Sequence, residues 1–409
     1  MSKKLIKQSF VLYASSVVSL LMGFAVSMVN TSILDVSEFG MLKLVQQIFS
    51  LTAILLSLGV SYSTGRLLGL NKEYNKEGYL IATTIVFYLS ISFISIIIIY
   101  SMAYLLIDFF SMKIKEILIF SAPLIVITIF SPVINNILQG LNRIYLLSFF
   151  RFSPQALYLI FILVLTTMST VSLKLVLFTT YLTAGIVTVF CIVKLKPKFT
   201  NIKENYLQIT KENKLNGFPV YIGSIAAVGS GNLLGVFLGL YIDVSTLGFY
   251  TLALMIATGL QMLPSVIAST LFRDFVTSSK ISTKTLVASF IIGIISLIVF
   301  LLLIEDLVLF VYSEDYKPVI YYSKILAAGA LLHGFGDVFN RFLGAKGQGV
   351  KLRNGSFITG GVILTLSVFL LPLLGGDAAP IIKTSGSSVY FLTMLTYYIF
   401  YIKNSDGKK

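Results

Sequence analysis

Asp35-Val36-Ser37-Glu38-Phe39-Gly40 returns as Asp243-Val244-Ser245-Thr246-Leu247-Gly248, 208 positions further along a chain of 409 residues. Each copy follows one long apolar stretch and precedes another. A duplicated set of membrane helices is the architecture of many transporters, so this repeat directs the reading of everything around it. A second pair agrees with it. Asn136 and Gly140, near the end of one apolar run, match Asn340 and Gly344 near the end of another at an offset of 204.

The composition identifies the solvent. Hydrophobic residues make up 56% of the chain and charged residues 12%, with a mean hydropathy of +0.92, whereas soluble domains carry about 25% charged residues. A membrane helix needs about 20 apolar residues. Runs of that kind fall at 9–30, 41–64, 79–106, 117–140, 152–170 and 173–193, then at 217–241, 248–271, 285–304, 319–342, 355–374 and 384–402. Between the two sets lies a long polar stretch, 194–216, with six lysines and too little apolar character to enter lipid. The expected fold is all-α and polytopic. It has about twelve transmembrane helices in two parallel six-helix lobes related by pseudo-two-fold symmetry. Residues 1–193 form the first lobe, 194–216 a basic cytoplasmic linker, and 217–409 the second lobe. The linker lysines suit a partly helical segment lying against anionic headgroups.

The net charge of +14 is scattered through short loops. With the N-terminus inside, 24 of the 31 Lys and Arg residues fall in inner segments, Arg143 and Arg151 among them. The positive-inside rule accounts for that bias, so both termini are expected to be cytoplasmic and nucleic acid is not expected as a partner. The first run is longer than the ~7–15-residue core of a signal peptide and reads as a retained helix. A single cysteine, Cys191, and a single histidine, His333, leave no material for an internal disulfide or a histidine-rich metal centre. There is no phosphate-binding Gly-x-x-x-x-Gly-Lys-Ser/Thr segment and no His-Glu-x-x-His motif. No cofactor, metal or catalytic residue is expected, and the chain does not read as an enzyme. Glu305-Asp306 and Glu314-Asp315 read as loop charges on the outer side. Trp is absent, so Tyr100, Tyr104, Tyr312, Tyr316, Tyr397, Tyr398 and Tyr401 are expected to supply the interfacial belt.

Several polar residues fall inside or at the ends of these runs. Arg66 and Arg273 end the second and eighth spans; each suits a phosphate, which guanidinium pairs bidentately, or serves as a snorkelling anchor. Lys43, Gln46 and Gln261 are expected to face a polar cavity suited to sugars, or to bond between helices. His333, Asp337 and Arg341 recur every four residues on one helix face. A His/Asp pair there can carry a coupling proton; the other reading is an Asp337–Arg341 ion pair near the interface. Gly229, Gly231 and Gly235 in the seventh span, and Pro264 in the eighth, are candidates for hinges or close helix packing. Pro123 and Pro132 are expected to kink the fourth span.

The segment Asp35–Gly40, leading to Leu58-Gly59 and then to Arg66, resembles the opening of the Wzx-type polysaccharide flippases of the multidrug/oligosaccharidyl-lipid/polysaccharide exporter superfamily. That resemblance implies a substrate: an O-antigen or capsule repeat unit linked through diphosphate to a polyprenyl lipid. It implies flipping across the cell inner membrane by alternating access. It also implies work alongside membrane lipids, a polysaccharide polymerase and glycosyltransferases. A drug or small-molecule antiporter on the same fold, and a membrane glycosyltransferase or polymerase of the same pathway, are the alternatives.

Overall fold

The computed structural model describes residues 3–70, 77–105, 112–168, 170–270, 275 and 278–406. The regular structure among them is helical. Ten stretches are long and apolar enough to cross a membrane; one of these, Gly349–Asn404, holds two helices, and Pro318–Ala345 completes twelve. The chain is a multi-pass membrane protein. It divides into two compact units, Met1–Ile222 and Gly223–Lys409.

The first unit contains α1 (Lys3–Ile33), α2 (Val36–Leu56), α3 (Val60–Leu70) and α4 (Glu77–Leu105). A fourth span follows, built from α5 (Met112–Ser121) and α6 (Ile125–Gly140). Then come α7 (Ile144–Met168), α8 (Leu173–Leu195), a short α9 (Ile202–Glu212), and the start of α10 (Phe218–Ser224). Of the two prolines expected to kink the fourth span, Pro123 sits in the 3₁₀ turn Ala122–Leu124 that separates α5 from α6, and Pro132 lies inside α6. The basic segment that includes α9 is not a free strand of polar chain. Ile209 is buried, and Tyr206 stacks toward Phe87 of α4 at 6.4 Å.

The repeated hexapeptide is a helix start in both units. Asp35 is extended and its Oδ1 accepts from the Glu38 N–H at 2.7 Å. Asp243 does the same for the Thr246 N–H at 2.7 Å, and its Oδ2 accepts from the Thr246 hydroxyl at 2.5 Å. A carboxylate there satisfies an orphan amide and complements the helix dipole, an effect of about 1 kcal/mol per cap.

The second span is not continuous as its apolar run suggested. It breaks between α2 and α3, where Leu58 and Gly59 take φ values of 50° and 75°. The carbonyls freed by the break find side-chain donors. The Tyr88 hydroxyl donates to Ser57 O at 2.7 Å, Asn213 Nδ2 to Leu58 O at 2.9 Å, and the Tyr221 hydroxyl to Leu55 O at 2.5 Å. Gly59 also lets Gly217 approach: a methyl on Gly59 would stand 2.4 Å from Gly217 O. A few residues on, α3 and α6 cross at Gly65 and Gly140, where a methyl on Gly140 would meet Gly65 O at 2.1 Å.

The second unit holds the rest of α10, then α11 (Ser230–Phe237), α12 (Val244–Thr270), α13 (Thr283–Val311), α14 (Pro318–Ala345), α15 (Gly349–Leu374) and α16 (Ala378–Asp406). Wide π turns occupy Ile225–Gly229 and Leu238–Ile242, and a third lies at Asn213–Gly217 in the first unit. The centre of the second unit is α14, which packs on α12 and α16. By contrast α13 holds the most apolar stretch among the candidate spans, and its isoleucines and leucines are largely exposed, as a lipid-facing helix requires. It continues past the expected end at 304, so Glu305 and Asp306 lie within the helix and Glu305 pairs with Lys324 of α14 at 3.5 Å. Tyr312 and Tyr316 are buried rather than belt residues, and their rings pack on each other at 5.9 Å.

Gly140→Ala is expected to overpack the α3–α6 crossing and cost about 1–3 kcal/mol. Thermal unfolding of the purified variant in detergent measures it; an unchanged midpoint would show that the crossing relaxes freely.

Candidate functional site

Polar residues gather in four places. Arg66 leaves α3 and forms an ion pair with Glu212 at the end of α9, while its side chain stays 42% exposed. Glu212 Oε1 also accepts from Asn216 Nδ2 at 2.8 Å. Arg66 is therefore already partnered and ties α3 to the end of α9. Arg273, its counterpart in the sequence, lies outside the described residues.

Lys43 and Gln46 sit together on α2. The Lys43 ammonium donates to Gln46 Oε1 at 3.4 Å and lies 5.0 Å from the centre of the Phe39 ring. Both side chains are half-buried, one turn apart, so the amide and the ring solvate the cation locally. Arg66 bonds to neither of them.

The second unit joins Gln261 to the four-spaced residues of α14. Asp337 Oδ1 accepts from the Tyr390 hydroxyl of α16 at 2.9 Å, and Asp337 Oδ2 accepts from Gln261 Nε2 of α12 at 3.5 Å. His333 stacks on the same Tyr390 ring with centres 4.3 Å apart. Arg341 turns to α12 instead and donates from Nη2 to Ser265 at 3.2 Å. The Asp337–Arg341 ion pair does not appear among the contacts of the described residues. The close approach that builds this cluster is at Gly334, where a methyl would stand 2.7 Å from Gln261 O and 3.2 Å from Pro264 Cδ. Pro264, buried inside α12, thus forms part of the wall against α14. Of the glycines in the seventh span, Gly229 closes a π turn, Gly231 has open space where a side chain would begin, and Gly235 is buried within α11.

The fourth place was missed from the sequence. By hydropathy the apolar run begins at 152, which puts Arg151 among the inner-loop charges. In the structure α7 begins at Ile144, so Arg151 stands two turns inside the helix, about 10 Å along its axis. It lines a cavity of about 520 Å³ together with Ser16, Ser19, Asn135, Gln155 and Thr188. The signal that would have found it is the stretch Ile144-Tyr145-Leu146-Leu147-Ser148-Phe149-Phe150, helical and largely apolar ahead of the arginine.

Comparison with known proteins places the chain. Residues 5–272 match the family model described as "Polysaccharide biosynthesis protein". No curated protein sequence matches the chain significantly. Among solved structures, a lipid II flippase, MurJ, in an inward closed conformation superposes with a TM-score of 0.74 at 16% identity, over 95% of this chain and 87% of that one. An inward-facing multidrug resistance MATE transporter of the MOP superfamily gives 0.69 at 14% identity, over 94% and 95%. A MOP superfamily transporter from Pyrococcus furiosus gives 0.65 at 14% identity, over 97% and 95%. The fold is that of MOP-type transporters, and these neighbours are transporters and flippases rather than enzymes.

Asp337→Ala is expected to strand the Tyr390 hydroxyl and the Gln261 amide, at a cost of about 1–3 kcal/mol. Asp337→Asn keeps an acceptor for Tyr390 and should lose less. Unfolding midpoints of the two variants in detergent test the order; equal midpoints would remove the Tyr390–Asp337 bond from the account.

Proposed function

We propose, from the premise that this chain belongs to the polysaccharide biosynthesis protein family, that it flips a polyprenyl-diphosphate-linked oligosaccharide of the O-antigen or capsule type by alternating access. The membrane is the cell inner membrane, with both termini cytoplasmic. The family match over residues 5–272 carries this reading, and the fold shared with a lipid II flippase supports it. The physics agrees. A diphosphate needs cations, sugars need polar side chains, and the prenyl tail stays in lipid. Polymerase and glycosyltransferases of the same pathway are the partners this substrate implies.

Within this reading Arg66, Arg273, Lys43, Gln46 and Gln261 are the proposed substrate contacts, and Gly229, Gly231, Gly235 and Pro264 the positions about which the second unit flexes. His333 and Asp337, with Arg341 beside them, are the proposed proton-coupling groups. The Asp337 carboxylate accepts from a hydroxyl and an amide and has no ion-pair partner among the described residues.

Deletion of the gene should accumulate lipid-linked oligosaccharide on the cytoplasmic face and abolish surface polysaccharide, both restored by the wild-type chain. Unchanged surface display in the deletion strain would reject the function. Arg66→Ala should impair display while the protein remains in the membrane. Glu212→Ala frees the same arginine and should leave display largely intact if Arg66 acts on substrate; an equal loss in both variants would assign Arg66 to the structural tie alone. For coupling, Asp337→Asn or His333→Ala should change how flipping in proteoliposomes depends on an imposed pH gradient. The same dependence as wild type would limit these residues to packing.

A further inference from the structure

The Arg151 cavity lies wholly in the first unit, among α1, α6, α7 and α8, and none of the residues proposed above lines it. Arg151 is held there by neutral groups only. Its Nε and Nη2 donate to Asn135 Oδ1 at 3.4 and 3.2 Å, and its Nη1 to the Ser16 hydroxyl at 3.4 Å. No carboxylate lies within ion-pair distance of it among the described residues. By contrast Arg66 and Arg143 each have a glutamate.

A guanidinium carries five N–H donors and one full charge. The three contacts are at the long end of hydrogen-bond length and supply no negative charge. Holding a charge inside a membrane span is costly, and such residues face a polar interior where something compensates them. The surroundings add donors rather than acids. Ser19 donates to Gln155 Oε1 at 3.3 Å, which leaves the Gln155 amide nitrogen as a donor. The volume of about 520 Å³ is that of a small-molecule site, typically about 300–1,000 Å³.

We infer that this cavity is an anion site of the first unit, taking a phosphoryl group on the Arg151 fork with Gln155 as an additional donor. A two-oxygen anion matches the planar fork bidentately, at shorter distances than the present neutral acceptors allow. Asn135 and Ser16 orient the guanidinium. The phosphoryl group has two sources, the diphosphate of a lipid-linked substrate or free inorganic diphosphate. The first rests on the function proposed above; the site itself does not.

The test is equilibrium dialysis of the purified full-length protein in nanodiscs against radiolabelled inorganic diphosphate. Wild type should bind saturably. Arg151→Gln should weaken binding about tenfold or more, the equivalent of about 1.4 kcal/mol, while Arg151→Lys retains part of it and Gln155→Leu falls between. Competition by polyprenyl diphosphate added to the nanodisc would assign the site to the lipid-linked substrate. Binding of inorganic diphosphate without that competition would assign it to the free anion. No saturable binding by wild type, or equal binding by a monodisperse Arg151→Gln protein, would overturn the inference. Because the probe is inorganic, the result stands apart from the deletion assay: loss of the flippase reading would leave this binding intact, and loss of binding would leave the deletion phenotype intact.

Discussion

Hydrocarbon offers no hydrogen bonds, so each backbone amide and carbonyl within it needs a partner in the protein. The chain meets this almost everywhere by continuous helix. The informative place is where helix fails. Between α2 and α3 the backbone turns through Leu58 and Gly59 in the left-handed region, and three side chains from α4, the π turn after α9 and α10 cap the freed carbonyls. Those bonds fix α9 and the π turn at Asn213–Gly217 to the first unit. They also fix the position from which Arg66 reaches Glu212. One break in one helix therefore organises the whole end of that unit.

The same scarcity of partners governs the charges. Near span ends they pair: Arg143 with Glu77 at 3.9 Å, Lys324 with Glu305 at 3.5 Å, and Lys113 with Glu38 at 3.8 Å. Such exposed pairs contribute little, about 0–1 kcal/mol each, and they mark where the chain meets polar surroundings. Asp337 and Arg151 differ. Each lies inside a span and is held by neutral hydroxyls or amides. Neither has an ion-pair partner among the described residues, and the proposed coupling and anion-binding roles fall on these two.

Much of the architecture was legible without coordinates. Twelve spans follow from apolar run length, because a helix must be about as long as the bilayer core is thick. The expected ends fall within a few residues of the observed ones for α4 and α8, where polar residues bracket the run closely. They miss where aromatic or polar residues open a helix that has no need to stop: α7 starts eight residues before the apolar run taken at 152, and α13 runs on through Glu305 and Asp306. Periodicity sees hydropathy, whereas a helix continues as long as its backbone bonds do. Of the candidate residues, the four-residue spacing of His333, Asp337 and Arg341 correctly put them on one helix. The partners Tyr390, Gln261 and Ser265 come from other helices, and no local pattern names them.

The repeated Asp-Val-Ser shows the division most clearly. Its recurrence, the two sets of six apolar runs and the scarcity of charge come from the sequence alone, because hydrophobic length and local capping chemistry act between near neighbours in the chain. That the aspartates cap helices is a local matter too, settled three residues away. What only the tertiary structure decided is who meets whom across helices. Gly65 receives Gly140, Glu212 takes Arg66, Asp337 bonds to Tyr390 rather than to Arg341, and Arg151 faces a cavity without an acid. Those choices depend on crossing points and on a helix break, set by sterics at a few glycines and by carbonyls needing donors. These contacts join residues tens to more than a hundred positions apart, beyond the reach of any spacing rule.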